Sequence, residues 1–249
     1  MDEDIRQLQK RFSELAARAD SRGRYTFTQF LTPAEQDVLL RQAGQLPVPV
    51  CRMGGYDGAE RCVACFGSGE SLGYPPESPI RCLRISPVAK KFAQSLTHRD
   101  FLGALMSLGL ERRLLGDIQL TEGDVYLFCL AEILPFIRDN LTQVARTTVS
   151  CTECDPPEAL SVPPEPTELV VASERLDALI AAVWRLSRSE AQELLEKGLV
   201  FLDGRLTESA AHPLKEGTLV SVRHRGRFRY EGALRETKKG RLRVSVRIW

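Results

Sequence analysis

Residues 172–204 have the sequence ASERLDALIAAVWRLSRSEAQELLEKGLVFLDG, and this stretch decides the fold of the C-terminal part of the chain. Apolar residues recur in it at intervals of three and four, which predicts amphipathic helices over residues 175–184 and 188–197. Gly198 is placed to end the second helix. A short strand then enters a turn at Asp203-Gly204, a dipeptide favoured in tight hairpins. The stretch therefore predicts a helix–helix–hairpin unit.

Each predicted helix begins with a serine and an arginine. Ser173 and Ser187 are the predicted N-caps, and Arg175 and Arg188 fall in the first turns behind them. A cation at the positive end of a helix dipole costs roughly 0.3–1 kcal/mol, so the fold is expected to gain nothing from these arginines. Free backbone N–H groups, a hydroxyl and a guanidinium together suit a phosphate. Either arginine alone is more simply interpreted as a solvated side chain, but the pair favours a nucleic-acid backbone.

Three motifs in this stretch resemble the alpha-L, or S4-type, RNA-binding domain. They are SERLD at 173–177, SRSEA at 187–191 and GLVFLDG at 198–204. The resemblance implies RNA binding but leaves the role of the other residues open, because the module occurs in ribosomal proteins, pseudouridine synthases and tyrosyl-tRNA synthetases. With the basic strands that follow, the predicted RNA contacts are Ser173, Arg175, Ser187, Arg188, Ser189, Lys197, Arg227, Arg229, Lys238, Lys239, Arg241 and Arg243.

The charge of the chain is unevenly distributed. Its 249 residues carry a net charge of +1, yet residues 223–247 hold ten Lys/Arg against two Glu, a net charge of +8 that leaves −7 for the remainder. Such a basic segment predicts a surface that binds a polyanion. Strands are predicted over residues 219–223, 229–234 and 242–248. Phe228 and Tyr230 lie among the arginines, where stacking on unpaired bases and packing in the core are equally good interpretations.

The preceding residues predict a second pattern of elements. Two amphipathic helices, the second with a Thr-x-x-Glu capping box from Thr32, are followed by strands at 48–53 and 62–66. From residue 79 the order becomes strand, helix, strand, strand, helix, strand, which is the ferredoxin-like arrangement. Five prolines within 156–166 predict a semi-rigid linker. The loop GGYDGAER at 54–61 is better interpreted as a turn than as a phosphate cradle.

The predicted fold is therefore α+β and has three parts. Residues 1–72 form an N-terminal helical segment with a small sheet, and residues 73–155 form a ferredoxin-like central domain that is a candidate RNA-binding domain. The linker spans residues 156–168. Residues 169–249 form a C-terminal S4-type (alpha-L) RNA-binding domain with a basic β extension. The chain length suits two or three domains.

A wider resemblance covers nearly the whole chain from about residue 30 onward. GYDGAER at 55–61, THRDFLGALM at 97–106, GDI at 116–118, GRF at 226–228 and KKGR at 238–241 resemble the YlmH family of bacterial and plastid RNA-binding proteins. The resemblance implies a non-enzymatic protein that associates with ribosomal RNA of the large ribosomal subunit, with tRNA contact. It would act in ribosome-associated quality control on stalled subunits that hold peptidyl-tRNA. A link to cell division is a weaker implication.

Seven cysteines and no leader sequence predict reduced thiols in the cytoplasm, or in the plastid stroma if the protein is organellar. The first residues, MDEDIRQLQK, are too polar for a signal peptide, and no apolar run approaches a membrane span. We therefore expect no membrane contact, and a monomer. Cys62-x-x-Cys65 and Cys151-x-x-Cys154 have zinc spacing. Because residues three apart in the predicted strand at 62–66 point to opposite faces, free thiols and no metal or other cofactor are the favoured interpretation.

Catalysis is not expected from the motifs that suggest it. Arg175-Leu176-Asp177 is similar to the Arg-Leu-Asp of pseudouridine synthases, but here Asp177 is predicted to accept hydrogen bonds at a helix terminus. His98-Arg99-Asp100 lacks the other motifs of a kinase, so Asp100 is predicted to cap a helix that Thr97 starts. No serine or cysteine nucleophile has an obvious base. The alternatives to an RNA-binding role in translation are an RNA-modifying enzyme with an unrecognised centre and an interaction scaffold linked to cell division.

Overall fold

The computed structural model describes residues 2–89, 96–121, 123–238 and 240–249. The chain divides into two compact units, Met1–Ser161 and Val162–Trp249, and helices and strands occur in both. The predicted α+β class is confirmed. The division between the units lies inside the proline-rich segment that was predicted as a linker.

The first elements are two helices packed on a three-stranded sheet. Phe12, Ala16 and Ala19 recur at helical spacing on the first helix and are fully or almost fully buried. The predicted capping box at Thr32 is present, because the Thr32 N–H donates to Glu35 Oε2 over 2.6 Å and the Glu35 N–H donates back to Thr32 Oγ1 over 3.4 Å. The elements are α1 (Asp2–Arg22), β1 (Thr26–Leu31), α2 (Pro33–Gln42), β2 (Val50–Met53), β3 (Cys62–Phe66) and α3 (Gly69–Leu72), with sheet order β1-β3-β2.

The central sheet has the predicted ferredoxin-like topology. Its strand order is β5-β6-β4-β8-β7 and each neighbouring pair is antiparallel. The predicted helix over 131–141 is shorter than expected, because its first residues form a 3-10 turn and Pro135 then takes an N-terminal position of the helix, where its missing N–H costs nothing. The elements are β4 (Ile80–Pro87), α4 (His98–Ser107), β5 (Leu115–Leu120), β6 (Val125–Leu130), α5 (Leu134–Asn140), β7 (Gln143–Val144) and β8 (Thr147–Cys154).

The N-terminus of α4 explains the His-Arg-Asp triplet. Asp100 accepts hydrogen bonds from the Thr97 N–H over 2.8 Å and from its hydroxyl over 2.7 Å. These hydrogen bonds hold the pKa of Asp100 below its usual value. The expectation that Asp100 caps this helix is confirmed.

The predicted boundary between residues 72 and 73 does not separate two domains. Phe30 and Val63 of the N-terminal sheet pack against Ile80 and Phe128 of the central sheet, and all four side chains are buried. The other face of the central sheet is covered by α4 and α5. The central sheet is therefore buried on both faces over much of its area, which joins the N-terminal segment and the central domain into one unit.

The loop GYDGAER is held by one carboxylate. Asp117 of β5 is 7% exposed and accepts from the Tyr56 hydroxyl over 2.7 Å, from the Glu60 N–H over 2.7 Å and from the Arg61 N–H over 3.1 Å. The Arg61 guanidinium donates to the carbonyl of Leu115 over 3.0 Å. The loop is thus a structural turn around Asp117, as the sequence favoured.

Asp117→Ala should lower the free energy of unfolding by about 2–3 kcal/mol, because it leaves two partly buried backbone N–H groups and a hydroxyl without their acceptor. Urea denaturation followed by circular dichroism measures this loss. The control is Asp139→Asn, whose carboxylate pairs with its exposed neighbour Arg138 and should leave the midpoint unchanged. Equal midpoints for Asp117→Ala and the parent protein would show that Asp117 does not hold the loop.

The second unit is a six-stranded sheet with two helices on one face. Its strand order is β11-β10-β12-β13-β14-β9. Side chains of the two helices, among them Leu179 and Leu195, share a buried cluster with Val220 and Val244 of the sheet. Its elements are β9 (Thr167–Val171), α6 (Leu176–Trp184), α7 (Arg188–Glu196), β10 (Val200–Leu202), β11 (Arg205–Leu206), β12 (Leu219–Val222), β13 (Gly226–Glu236) and β14 (Leu242–Ile248).

Candidate nucleic-acid interface

The N-terminus of α7 has the geometry that the sequence predicts. Ser187 is the N-cap, and its hydroxyl accepts from the Glu190 N–H over 3.2 Å. The Glu190 carboxylate accepts in return from the Ser187 N–H over 2.8 Å, which completes a capping box. Arg188 and Ser189 follow in the first turn and are exposed. The first turn of α7 therefore leaves Arg188 and Ser189 accessible to solvent.

The N-terminus of α6 differs from the prediction. Arg175, not Ser173, occupies the N-cap position, and Ser173 lies two residues before it in a bend. The first two helical N–H groups, of Leu176 and Asp177, donate to backbone carbonyls of the loop around His212 over 2.9 and 3.1 Å. The expectation that this helix offers free N–H groups to a phosphate is therefore wrong. The loop that precedes β12 already satisfies them.

Arg175 and Arg188 meet at one buried carboxylate. Asp177 is 1% exposed, and Arg175 Nε and Nη2 donate to its two oxygens over 3.1 and 3.0 Å. Arg188 Nη2 donates to the same carboxylate over 3.4 Å, as does Gln192 Nε2. We call Arg175, Asp177 and Arg188 the arginine pair cluster. It links the starts of α6 and α7 and carries a net charge of +1.

The cluster changes the energetic interpretation of both arginines. Burial by itself would raise the pKa of Asp177, but hydrogen bonds from Arg175 and attraction by Arg188 outweigh it and hold the pKa below its usual value. The expectation that the fold gains nothing from these cations is thus wrong, because they neutralise a buried carboxylate. Their side chains remain 42% and 53% exposed, so both also reach solvent.

The other predicted basic contacts fall into two groups. Lys197 and Arg243 are in ion pairs, with Glu193 over 2.6 Å and with Glu168 over 2.8 Å. Lys238 and Arg241 are exposed around the turn between β13 and β14. Lys239 lies outside the described residues.

The aromatic residues among the basic strands are core residues. Phe228 and Tyr230 are 0% and 1% exposed and belong to the buried cluster beneath α6 and α7. Stacking of either ring on an RNA base is therefore excluded. Arg227 and Arg229 lie on the opposite face of β13, where their guanidinium carbons are 5.3 and 5.7 Å from the ring centroid of Trp249.

Segments of both units match known family models. Residues 80–158 match the family model described as "Putative RNA-binding domain in YlmH", and residues 174–220 match the model of the S4 domain. A relative from Bacillus subtilis (strain 168), "Ribosome-associated protein quality control protein P2", is 34% identical over 225 residues, which span 89% of this chain and 86% of the relative. The chain belongs to the YlmH family.

The fold also has a YlmH counterpart among solved structures. "Cell division protein ylmH from Streptococcus pneumoniae" superposes with a TM-score of 0.51 and 23% sequence identity, over 64% of this chain and 94% of that chain. At this identity the likeness concerns the fold alone. The YlmH RNA-binding domain begins at the first residue of β4, and the S4 domain contains the whole arginine pair cluster.

Sequence reasoning missed two features of this YlmH-family interface. One is the set of partners of Asp177, which lies in the first turn of α6 as expected but also joins two arginines. The other is Arg223, whose guanidinium lies 5.4 Å from the ring centroid of Phe201.

The two Cys-x-x-Cys pairs lie in different surroundings. Cys62 and Cys65 are buried in β3, whereas the Cys154 sulfur is 3.9 Å from that of Cys82 on the neighbouring strand β4. Burial raises the pKa of Cys151 to about 11. Across the described residues, no group of three or more His, Cys, Asp or Glu side chains is arranged to hold a metal ion. No helix in the described ranges is long and apolar enough to cross a membrane.

Proposed function

We propose that the protein binds structured ribosomal RNA on the large ribosomal subunit, with contact to tRNA, during quality control of stalled peptidyl-tRNA complexes. The observation that carries the proposal is the arginine pair cluster at the start of α6 and α7, inside the segment that matches the S4 domain. The name of the Bacillus subtilis relative supports the setting on the ribosome.

The cluster is suited to a phosphate because Asp177 accepts from only some of the N–H groups of each guanidinium. Arg175 uses Nε and Nη2, and Arg188 uses Nη2, so among the hydrogen bonds of the described residues the Nη1 groups of both remain available. A guanidinium that a buried carboxylate already holds loses little freedom when it binds a phosphate. The net charge of +1 keeps the cluster attractive to RNA.

Further contacts are proposed around this cluster. Ser189 can donate to a phosphate at the N-terminus of α7, where the helix dipole favours an anion. The Ser187 hydroxyl donates to Glu190 Oε2 over 2.8 Å, so it can contact a phosphate only by exchanging that partner. Lys238 and Arg241, exposed at the turn between β13 and β14, add contacts that do not depend on sequence. We also propose RNA contact by the ferredoxin-like domain.

We propose that the protein is not an enzyme and acts as a monomer in the cytoplasm. The two aspartates that resemble catalytic ones have structural roles, because Asp177 holds the arginine pair and Asp100 caps α4. An RNA-modifying centre would need a nucleophile that is free of hydrogen-bond partners from the protein. The carboxylates of Asp177 and Asp100 both have such partners.

Cross-linking the protein to RNA in cells and sequencing the bound fragments tests the proposal. Reads should concentrate on a few sites of large-subunit ribosomal RNA and on tRNA, relative to a sample that was not irradiated. Nucleosides of the recovered RNA, analysed by mass spectrometry, should show no modification that depends on the protein. Reads spread in proportion to total RNA would reject the ribosomal role. A modified nucleoside that depends on the protein would show that the protein is an enzyme.

A further inference from the structure

The face of the C-terminal sheet opposite α6 and α7 carries a row of aromatic and basic side chains. Register places Phe201 of β10 beside Ser221 of β12, and Ser221 beside Arg227 of β13. The backbone N–H of Trp249, the residue after β14, donates to the Arg227 carbonyl over 3.0 Å, so Trp249 adds a fourth strand position to the row. Because side chains alternate along strands, this row points away from the buried valines of the same strands.

Trp249 and two arginines form a stack within this row. The guanidinium carbons of Arg227 and Arg229 lie 5.3 and 5.7 Å from the ring centroid, distances typical of cation–π contact. All three side chains are partly exposed. Phe201 is buried beneath Arg223 and cannot receive a ligand, so Trp249 is the accessible ring of the row.

Arg227 and Arg229 differ from the other arginines on this face because they have no carboxylate partner among the described residues. Arg243 is paired with Glu168 over 2.8 Å and Arg247 with Glu231 over 3.3 Å. For Arg227 and Arg229, no carboxylate of the described residues lies within ion-pair distance. The positive charge of Arg227 and Arg229 is therefore not paired with an acidic side chain of the described residues, and it lies next to an aromatic ring.

We propose that Trp249, Arg227 and Arg229 bind one unpaired nucleotide of RNA. Its base would stack on the indole–guanidinium stack and its phosphate would pair with a guanidinium. Unpaired bases are commonly held on aromatic rings and on guanidinium planes, and this cluster offers both. An acidic peptide would match the charge but would leave the stack unused. The inference rests on the proposed function, and it gives the second unit, Val162–Trp249, another site besides the arginine pair cluster.

Tryptophan fluorescence tests the stack directly, because the chain has two tryptophans. In the full-length Trp184→Phe variant, Trp249 alone emits, and a single-stranded RNA decamer of uridine or adenosine should quench it on binding. Trp249→Ala, made in the parent chain and measured by anisotropy of labelled decamer, should weaken affinity roughly tenfold, whereas Trp249→Phe should retain it within about threefold. Arg227→Gln with Arg229→Gln should flatten the log–log salt dependence by about one unit for each phosphate that the variant no longer binds.

The outcomes separate this inference from the proposed function. If Trp249→Ala binds decamers as the parent does, or if a decaglutamate peptide quenches Trp249 as RNA does, the nucleotide site is refuted. If the parent chain binds neither decamers nor large ribosomal subunits, the proposed function fails first. Should Trp184→Phe fail to fold, the Trp249 signal is obtained by subtracting the emission of Trp249→Phe from that of the parent.

Discussion

Replacing Arg175 and Arg188 together by alanine should lower the free energy of unfolding at pH 7 by about 2–3 kcal/mol. Both guanidiniums neutralise Asp177, whose side chain is 1% exposed, and their loss leaves a buried carboxylate without a cation. Removing one partner of a buried ion pair typically costs about 3–5 kcal/mol. The expected loss is smaller here because the arginines are half exposed, so their truncation admits water to the carboxylate. Urea denaturation measures the difference.

The loss should depend on pH with a defined sign. In the parent protein the pKa of Asp177 is lowered, so its contribution to stability is present above the unfolded-state pKa of about 3.9 and is lost as pH falls through the folded-state value. In the double variant, burial without cations should raise the pKa, so stability is highest at low pH and is lost as pH rises through the raised value. The difference in stability between the two proteins should therefore be smallest below the lowered folded-state pKa of Asp177 and should widen as pH rises toward 7.

Two further variants control this prediction. Adding Asp177→Asn to the double variant removes the buried charge and should restore most of the lost stability. Arg243→Ala removes an arginine whose ion pair with Glu168 is exposed and should cost less than about 1 kcal/mol. A double variant as stable as the parent at pH 7 would contradict the role assigned to the cluster.

The elements of the fold follow from local sequence, and the contacts between them do not. The capping boxes at Thr32, Thr97 and Ser187 and the apolar spacing behind them fix where helices start, because the groups involved are three residues apart. The order of strands and helices from Ile80 onward was enough for the ferredoxin-like topology. The two-residue strands β7 and β11 are too short to show a period.

The union of the N-terminal segment with the central domain could not be predicted. It depends on the packing of Phe30 against Phe128 and on the hydrogen bonds from Tyr56 and Arg61 to Asp117, which join residues more than fifty positions apart. No local pattern encodes such a pairing. The composition of the loop 54–61 predicts a turn, but only the structure shows that Asp117 holds it.

The candidate site was predictable in its residues but not in its electrostatics. Arg175 and Arg188 were identified by their positions behind predicted caps, yet the turn between α6 and α7 decides that both reach Asp177. For Phe228 and Tyr230, the sequence left stacking on bases and packing in the core as equally good interpretations. Which face is buried depends on where α6 and α7 pack, and the aromatic residues proved to be core.

The variant with Arg175→Gln, Arg188→Gln and Asp177→Asn should separate RNA binding from stability. It removes both guanidiniums and the buried charge at once, so it should unfold within about 1 kcal/mol of the parent. If each arginine holds a phosphate, the log–log salt slope for binding to large ribosomal subunits should flatten by about two units. Each charge-assisted hydrogen bond to a phosphate is worth roughly tenfold in affinity, so binding at physiological salt should fall roughly 100-fold.

Co-sedimentation of full-length protein with salt-washed large subunits over a salt series measures the slope and the affinity together. The matched control is Arg6→Gln with Arg18→Gln, which removes two exposed arginines from α1 and tests whether any loss of positive charge weakens binding equally. The control should bind within about twofold of the parent, because its arginines lie in the first unit and not in the second. If both variants weaken binding to the same extent, attraction is general and the arginine pair cluster is not a site. If neither variant weakens binding, the RNA contacts lie elsewhere, and the role of these arginines is to stabilise the fold by neutralising Asp177.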